Sequence, residues 1–127
     1  MRSLSCLPKD NRWVKLGDTL PWDELDKLYH SKLINDGSGA NNLPSRMVIG
    51  ALIIKHKERL SDADTLQVIR ENPYMQYMLG RTKFTYEPIF DTSLFENIQN
   101  HITIEDIKVF TKELAKKSEA RKKDGGR

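Results

Sequence analysis

From about residue 20 onward, apolar positions recur at three- and four-residue spacing, and the pattern predicts one helix after another. Pro21 sits where a first helical turn tolerates a missing N–H, with Asp23 and Glu24 at the same positive end. Trp22, Leu25, Leu28, Tyr29 and Leu33 follow as an amphipathic stripe, predicting a helix over 21–34. The turn formers of 35–42 predict an exposed loop. Pro44 opens a second helix over 45–59. Its first half (Met47, Val48, Ile49, Leu52, Ile53 and Ile54) is apolar around most of the circumference and is expected to be the central buried helix.

Ser61 is a good N-cap for a third helix with Leu66 and Ile69 facing inward, and Asn72-Pro73 ends it. Pro73 can begin a short fourth helix with Tyr74, Tyr77 and Met78 packing and Gly80 as its C-cap. Residues 81–90 read as an extended loop. Asp91 or Thr92 caps a fifth helix with Leu94, Phe95, Ile98 and Ile102 inside, and Thr103 with Asp106 resembles a capping box for a sixth over 104–120. The stripe stops at Ala115, before a solvated basic end. With no internal repeat and no βαβ alternation, the expected fold is all-α: a compact orthogonal bundle of about five to six helices with a basic C-terminal extension. Residues 1–102 form the helical domain, with a mobile N-terminus, and 103–127 a helix and tail.

Length and charge refine this picture. The chain has 127 residues, enough for one domain with its own core. The net charge is +3, but residues 1–102 carry 13 basic and 13 acidic side chains, so the whole excess lies in 103–127. The longest central apolar run, Met47 to Ile54, is far short of the roughly 20 residues that span a bilayer. The N-terminus lacks an apolar secretory core. One cysteine, Cys6, excludes an internal disulfide framework. The expectation is a cytoplasmic protein with no membrane partner.

Candidate catalytic chemistry is thin. His30, His56 and His101 fall on different predicted helices without metal-ligand spacing. Asp62 and Asp64 sit in a first helical turn, where acidic residues are expected from the helix dipole alone. Cys6 has no histidine nearby in sequence, and Gly37 and Gly39 follow a helix rather than a strand, so neither a nucleophile nor a phosphate cradle is supported. No catalytic residue, metal, cofactor or small-molecule substrate is expected.

A binding module remains. Its candidate cations are Lys55, Lys57 and Arg59 at the end of the second helix, Arg70 on the third, and Arg81, Thr82 and Lys83 on the loop after the fourth, a geometry that often meets phosphates. A helix–turn–helix reading pairs 62–71 with 74–79, but the second helix is short for recognition and carries no Arg or Lys. An ordinary solvated charged face is the competing explanation.

An ordered set of short blocks adds a different kind of information. Leu7-Pro8 and Pro21-Trp22-Asp23-Glu24-Leu25 are followed by Pro44-Ser45-Arg46-Met47-Val48-Ile49-Gly50-Ala51-Leu52-Ile53-Ile54-Lys55-His56. Then come Leu60-Ser61-Asp62, Glu71-Asn72-Pro73-Tyr74-Met75-Gln76-Tyr77-Met78-Leu79-Gly80 and Phe90-Asp91-Thr92-Ser93-Leu94-Phe95. Each block is weakly specific, but their order and spacing over 7–102 resemble the N-terminal domain of InsH-like bacterial insertion-sequence transposases of the DDE type. The resemblance implies a DNA-binding and assembly domain for the element's terminal inverted repeats, preceding an RNase H-like domain that uses three carboxylates and two divalent metals for in-line phosphoryl transfer. It places no catalytic residue in this chain.

The resemblance leaves three functional expectations. They are a DNA-binding and assembly domain, a dimerisation or interdomain docking module with little DNA contact, and a relic with a borrowed regulatory role. One departure bears on the first: relatives usually carry a basic cluster after the Phe-Asp-x-Ser-Leu block, whereas 96–102 here contain no Arg or Lys. DNA contact through that helix is therefore expected to be weak or placed elsewhere, since phosphate neutralisation dominates affinity.

Overall fold

Seven consecutive residues from Val48 to Ile54 are buried on every side of one helix, and the other helices are arranged around it. The computed structural model describes residues 3–33 and 43–125, with side chains through residue 120. After a 3-10 turn at Leu4–Cys6 come α1 (Arg12–Thr19), α2 (Trp22–Lys32), α3 (Ser45–Glu58), α4 (Asp62–Glu71), α5 (Pro73–Met78), α6 (Thr92–Ile98) and α7 (Ile104–Gly125). The central helix is α3, packed by α2, α4 and α7, while α1 lies along α5 and α4 touches α5 and α6. Among the described residues there is no strand, only an isolated antiparallel bridge between Ser3 and Lys83. The all-α expectation holds.

Side-chain caps fix where most helices start. Asn11 Oδ1 accepts from the N–H groups of Trp13 and Val14, and Ser61 Oγ from Asp64. Asn72 Oδ1 serves Tyr74 and Met75, so one residue both ends α4 and opens α5. Of the two candidates for α6, Asp91 is the cap: it accepts from Leu94 N–H at 2.7 Å. That backbone bond holds its carboxyl below the usual carboxylate range. Thr103 and Asp106 satisfy one another's backbone N–H groups, the predicted capping box. At the other end of α3, Arg59 turns into the left-handed region (φ 55°) and stops the helix.

Three expectations are corrected. The helical pattern, expected from about residue 20, starts earlier: α1 forms before it, giving seven α-helices among the described residues against the expected five to six. Asn11 caps it and Trp13 and Val14 are buried, but its central Gly17 dilutes the helical signal. The described residues from Ser3 onward are also anchored rather than mobile, since Leu4 is buried and its N–H donates to Thr82 O at 2.9 Å. Finally, α6 stops at Ile98 and the chain turns through 99–101, so Ile102 reaches the core from outside the helix; α7 in turn continues past 120. The predicted loop at 35–42 lies outside the described residues.

Helix α1 approaches the backbone of α5 closely at Gly17. A Cβ on Gly17 would lie 3.1 Å from the Met78 Cα, 3.2 Å from an Arg46 nitrogen and 3.2 Å from the Tyr77 ring. Arg46 fills the space beside it. Its Nε donates to Met78 O (2.8 Å), and Nη2 to Gly17 O (3.1 Å) and Tyr77 O (3.3 Å). Its guanidinium lies 4.7 Å from the Trp22 ring centroid, and Trp22 Nε1 donates to the same Gly17 carbonyl. Burial pulls the guanidinium below its ordinary pKa, yet an arginine remains charged there.

Two stability measurements check this packing. Gly17→Ala would gain about 1 kcal/mol if helix propensity decided the outcome. Here the new methyl meets backbone on the facing helix, so urea denaturation is expected to show a loss of roughly 1 kcal/mol or more. Arg46→Lys keeps the charge but not the planar fork, and is expected to lower the unfolding free energy by about 2 kcal/mol.

Candidate nucleic-acid interface

The sequence offers seven candidate contact residues, and the fold gives them different roles. Lys55 projects from the last turns of α3 onto α4: its Nζ lies 3.0 Å from Asp62 Oδ1 and 2.9 Å from Gln99 Oε1. Gln99 Nε2 closes the triangle by donating to Asp62 at 2.9 Å. With Lys55 and Asp62 both largely covered, this unit joins α3, α4 and the end of α6. Asp62, one of the two first-turn acids of α4, is thereby paired. Lys57 and Arg59 are exposed and have no ion pair among the described residues.

The remaining four residues surround the loop over 81–90. Arg70 Nε donates to Tyr86 O at 2.7 Å. Arg81 donates its backbone N–H to Gln76 O, and its buried Nε has no partner among the described residues. Thr82 accepts from Leu4 N–H, and the Lys83 side chain is exposed beside the Ser3 bridge. Thus the loop is extended, as expected, but it is pinned along its length.

The main pin is Gln76, which the sequence reading did not single out. Its side chain is buried: Nε2 donates to Thr85 O (2.8 Å) and Ile69 O (2.9 Å), while Oε1 accepts from Thr85 N (3.1 Å). A primary amide has both a donor and an acceptor, so it pairs with the Thr85 backbone as a neighbouring strand would. Nothing local in the sequence marks that partner, nine residues away. Tyr86, also unremarked, is 63% exposed, with its ring edge-on to Phe84 at 5.3 Å.

The helix–turn–helix alternative does not survive the packing. Met75, Gln76 and Met78 of α5 are buried and the helix lies against α1, leaving no free recognition face. The α6 segment, without Arg or Lys, contributes Gln99 to the Lys55 triangle. His30 lies 3.3 Å from Asp26, His56 is exposed, and Cys6 is exposed with its Sγ near Ser3 O. Among the described residues, no three His, Cys, Asp or Glu side chains are grouped to hold a metal, and no helix is long and apolar enough to cross a membrane.

Among the exposed cations, Lys83 lies on the pinned loop, with backbone beside it in a way that suits phosphate contact, while Lys57 and Arg59 stand at the end of α3. Gln76→Leu would leave the Thr85 N–H and the Ile69, Arg70 and Thr85 carbonyls without their amide partner. It is expected to cost about 2–3 kcal/mol, with faster amide exchange at 82–86 than in α3.

A family model described as a transposase domain (DUF772) matches residues 2–101. An uncharacterised protein, ORF8 in the nfe locus of Rhizobium meliloti, is 31% identical over 80 residues, which are 63% of this chain and 38% of that protein. The chain therefore spans well under half of the relative it matches. No solved structure matches it.

Proposed function

Because this chain belongs to the transposase domain family DUF772, we propose that it serves transposition as a DNA-binding and assembly domain, and that it grips duplex DNA, such as an element's terminal repeats, through its unpaired cations. The observation that carries this reading is the separation of roles among the basic residues. Lys55, Arg70 and Arg46 bond inward, whereas Lys57, Arg59 and Lys83 are exposed and unpaired among the described residues. Phosphate contacts from such side chains position a protein on DNA without reading bases. Catalysis of strand transfer is assigned to residues outside this chain, within a longer protein of the kind the resemblance implies.

A second reading, docking onto another protein or a second copy, is favoured by α7. Val109 is 56% exposed, and Phe110 and Leu114 line a groove with Leu28. A dimer in sedimentation that Val109→Glu dissolves, in a protein with no DNA affinity, would favour docking.

Fluorescence anisotropy with a short labelled duplex at several salt concentrations tests the DNA reading. Affinity is expected to fall steeply with salt, and Lys57→Gln/Arg59→Gln/Lys83→Gln to reduce the slope of log affinity against log salt by about three. A slope unchanged in the triple variant would remove this surface.

A further inference from the structure

Arg12, Lys15, Leu16 and Thr19 recur at three- and four-residue spacing, so they share one face of α1, and Lys57 from the last turn of α3 borders the same surface groove. The groove measures about 430 Å³, and every ionisable residue lining it is a cation. Lys15 and Lys57 are exposed, with no ion pair among the described residues. Arg12 is held more firmly. Its guanidinium lies 4.7 Å from the Trp13 ring centroid, and Nη2 is 3.3 Å from the Glu58 carboxylate. The Arg12 side chain is still 67% exposed, so most of its donors remain open to solvent, while the less exposed Glu58 is the anion nearest to it.

We propose that this α1–α3 groove seats the phosphate backbone of duplex DNA, with Glu58 as a built-in competitor for Arg12 that holds the affinity down. The proposal rests on the DNA-binding reading above and adds to its Lys57 the cationic face of α1, which that reading does not contain. Duplex is favoured over single strand by the state of the aromatic residue. Trp13 is 2% exposed, so the groove offers no ring face for bases to stack on, which single-strand sites use. Three cations around a groove lined by no acid instead suit phosphate oxygens, contacted without regard to base sequence. Glu58 acts on the same electrostatics: a phosphate entering the groove takes up Arg12 donors that the carboxylate now holds and feels that carboxylate's repulsion.

The test uses the whole chain and a short labelled duplex of mixed sequence, with one of its strands alone for comparison. Arg12→Gln/Lys15→Gln is expected to reduce the salt slope by about two and to weaken binding similarly for unrelated duplex sequences. Lys108→Gln/Lys112→Gln on α7 removes the same charge elsewhere and is expected to have the smaller effect. Glu58→Gln is expected to bind several-fold tighter, which no loss of structure would produce. The native chain is expected to prefer duplex to the single strand.

A loss in Arg12→Gln/Lys15→Gln no greater than in the α7 control overturns the proposal, as does a Glu58→Gln variant that binds no tighter. Preference for the single strand also overturns it. If the native chain does not bind duplex at all, the DNA reading fails as well; if it binds while the α1 variant is unaffected, only the groove fails.

Discussion

One guanidinium group holds the ends of two helices, and much of the bundle depends on it. The last carbonyls of a helix have no partner within it, and if buried they must find donors elsewhere. Here α1 and α5 end close together, and Arg46 donates to Gly17 O from the first and to Tyr77 O and Met78 O from the second. Because Arg46 is itself in the first turn of α3, the central helix is tied to both. Trp22, at the start of α2, covers the guanidinium and donates to the same Gly17 carbonyl. The approach needs bare backbone: a Cβ on Gly80, which sits at φ +90°, would lie 3.1 Å from the Arg46 Cδ. A lysine could supply the charge but not three bonds in one plane.

This knot changes the meaning of the sequence blocks. Pro21-Trp22, Pro44-Ser45-Arg46 and the run from Tyr77 to Gly80 are far apart in the chain but meet here. Gln76 and Asn72, in the same late block, pin the loop over 81–90 and cap α5. Much of the resemblance is thus carried by residues that build the fold, while the exposed cations of the proposed DNA surface lie largely between or at the margins of those blocks. Family membership and the proposed DNA contact therefore rest on different residues, so the proposed surface could diverge while the fold is kept.

The same division explains what the sequence made legible. Helix α3, the caps at Ser61 and Thr103, the break at Asn72-Pro73 and the extended loop all follow from local spacing and local bonds. Helix α1 was missed because its Gly17 looks like a weak helix residue when only propensity is considered; the glycine is there for close approach to α5. The roles of Arg46 and Gln76 depend on partners between 6 and 32 residues away, which no periodicity shows. For the candidate site, local reading found the run from Lys55 to Arg59 but could not sort it. Successive helical residues point about 100° apart, so Lys55 turns toward Asp62, Glu58 toward Arg12, and Lys57 toward solvent.

Helix dipoles complete the electrostatic picture. Acidic residues gather in first turns, at Asp23 and Glu24, Asp62 and Asp64, and Glu105 and Asp106, while cations gather in last turns, at Lys32, Lys55, Lys57 and Arg70. A balanced count over residues 1–102 therefore does not mean a uniformly neutral surface. Each helix end carries about half an elementary charge, while each side chain there carries a whole one. A cation at a C-terminal end is offset only in part by the dipole beneath it, and the remainder is positive wherever no carboxylate is in reach. Lys55 has Asp62 and Lys32 has Asp106, so those two cations are compensated. Lys57 has neither, and it stands at the groove with Lys15 and Arg12. The arrangement of helices, rather than the excess of basic residues, is what concentrates positive potential on the surface of this domain.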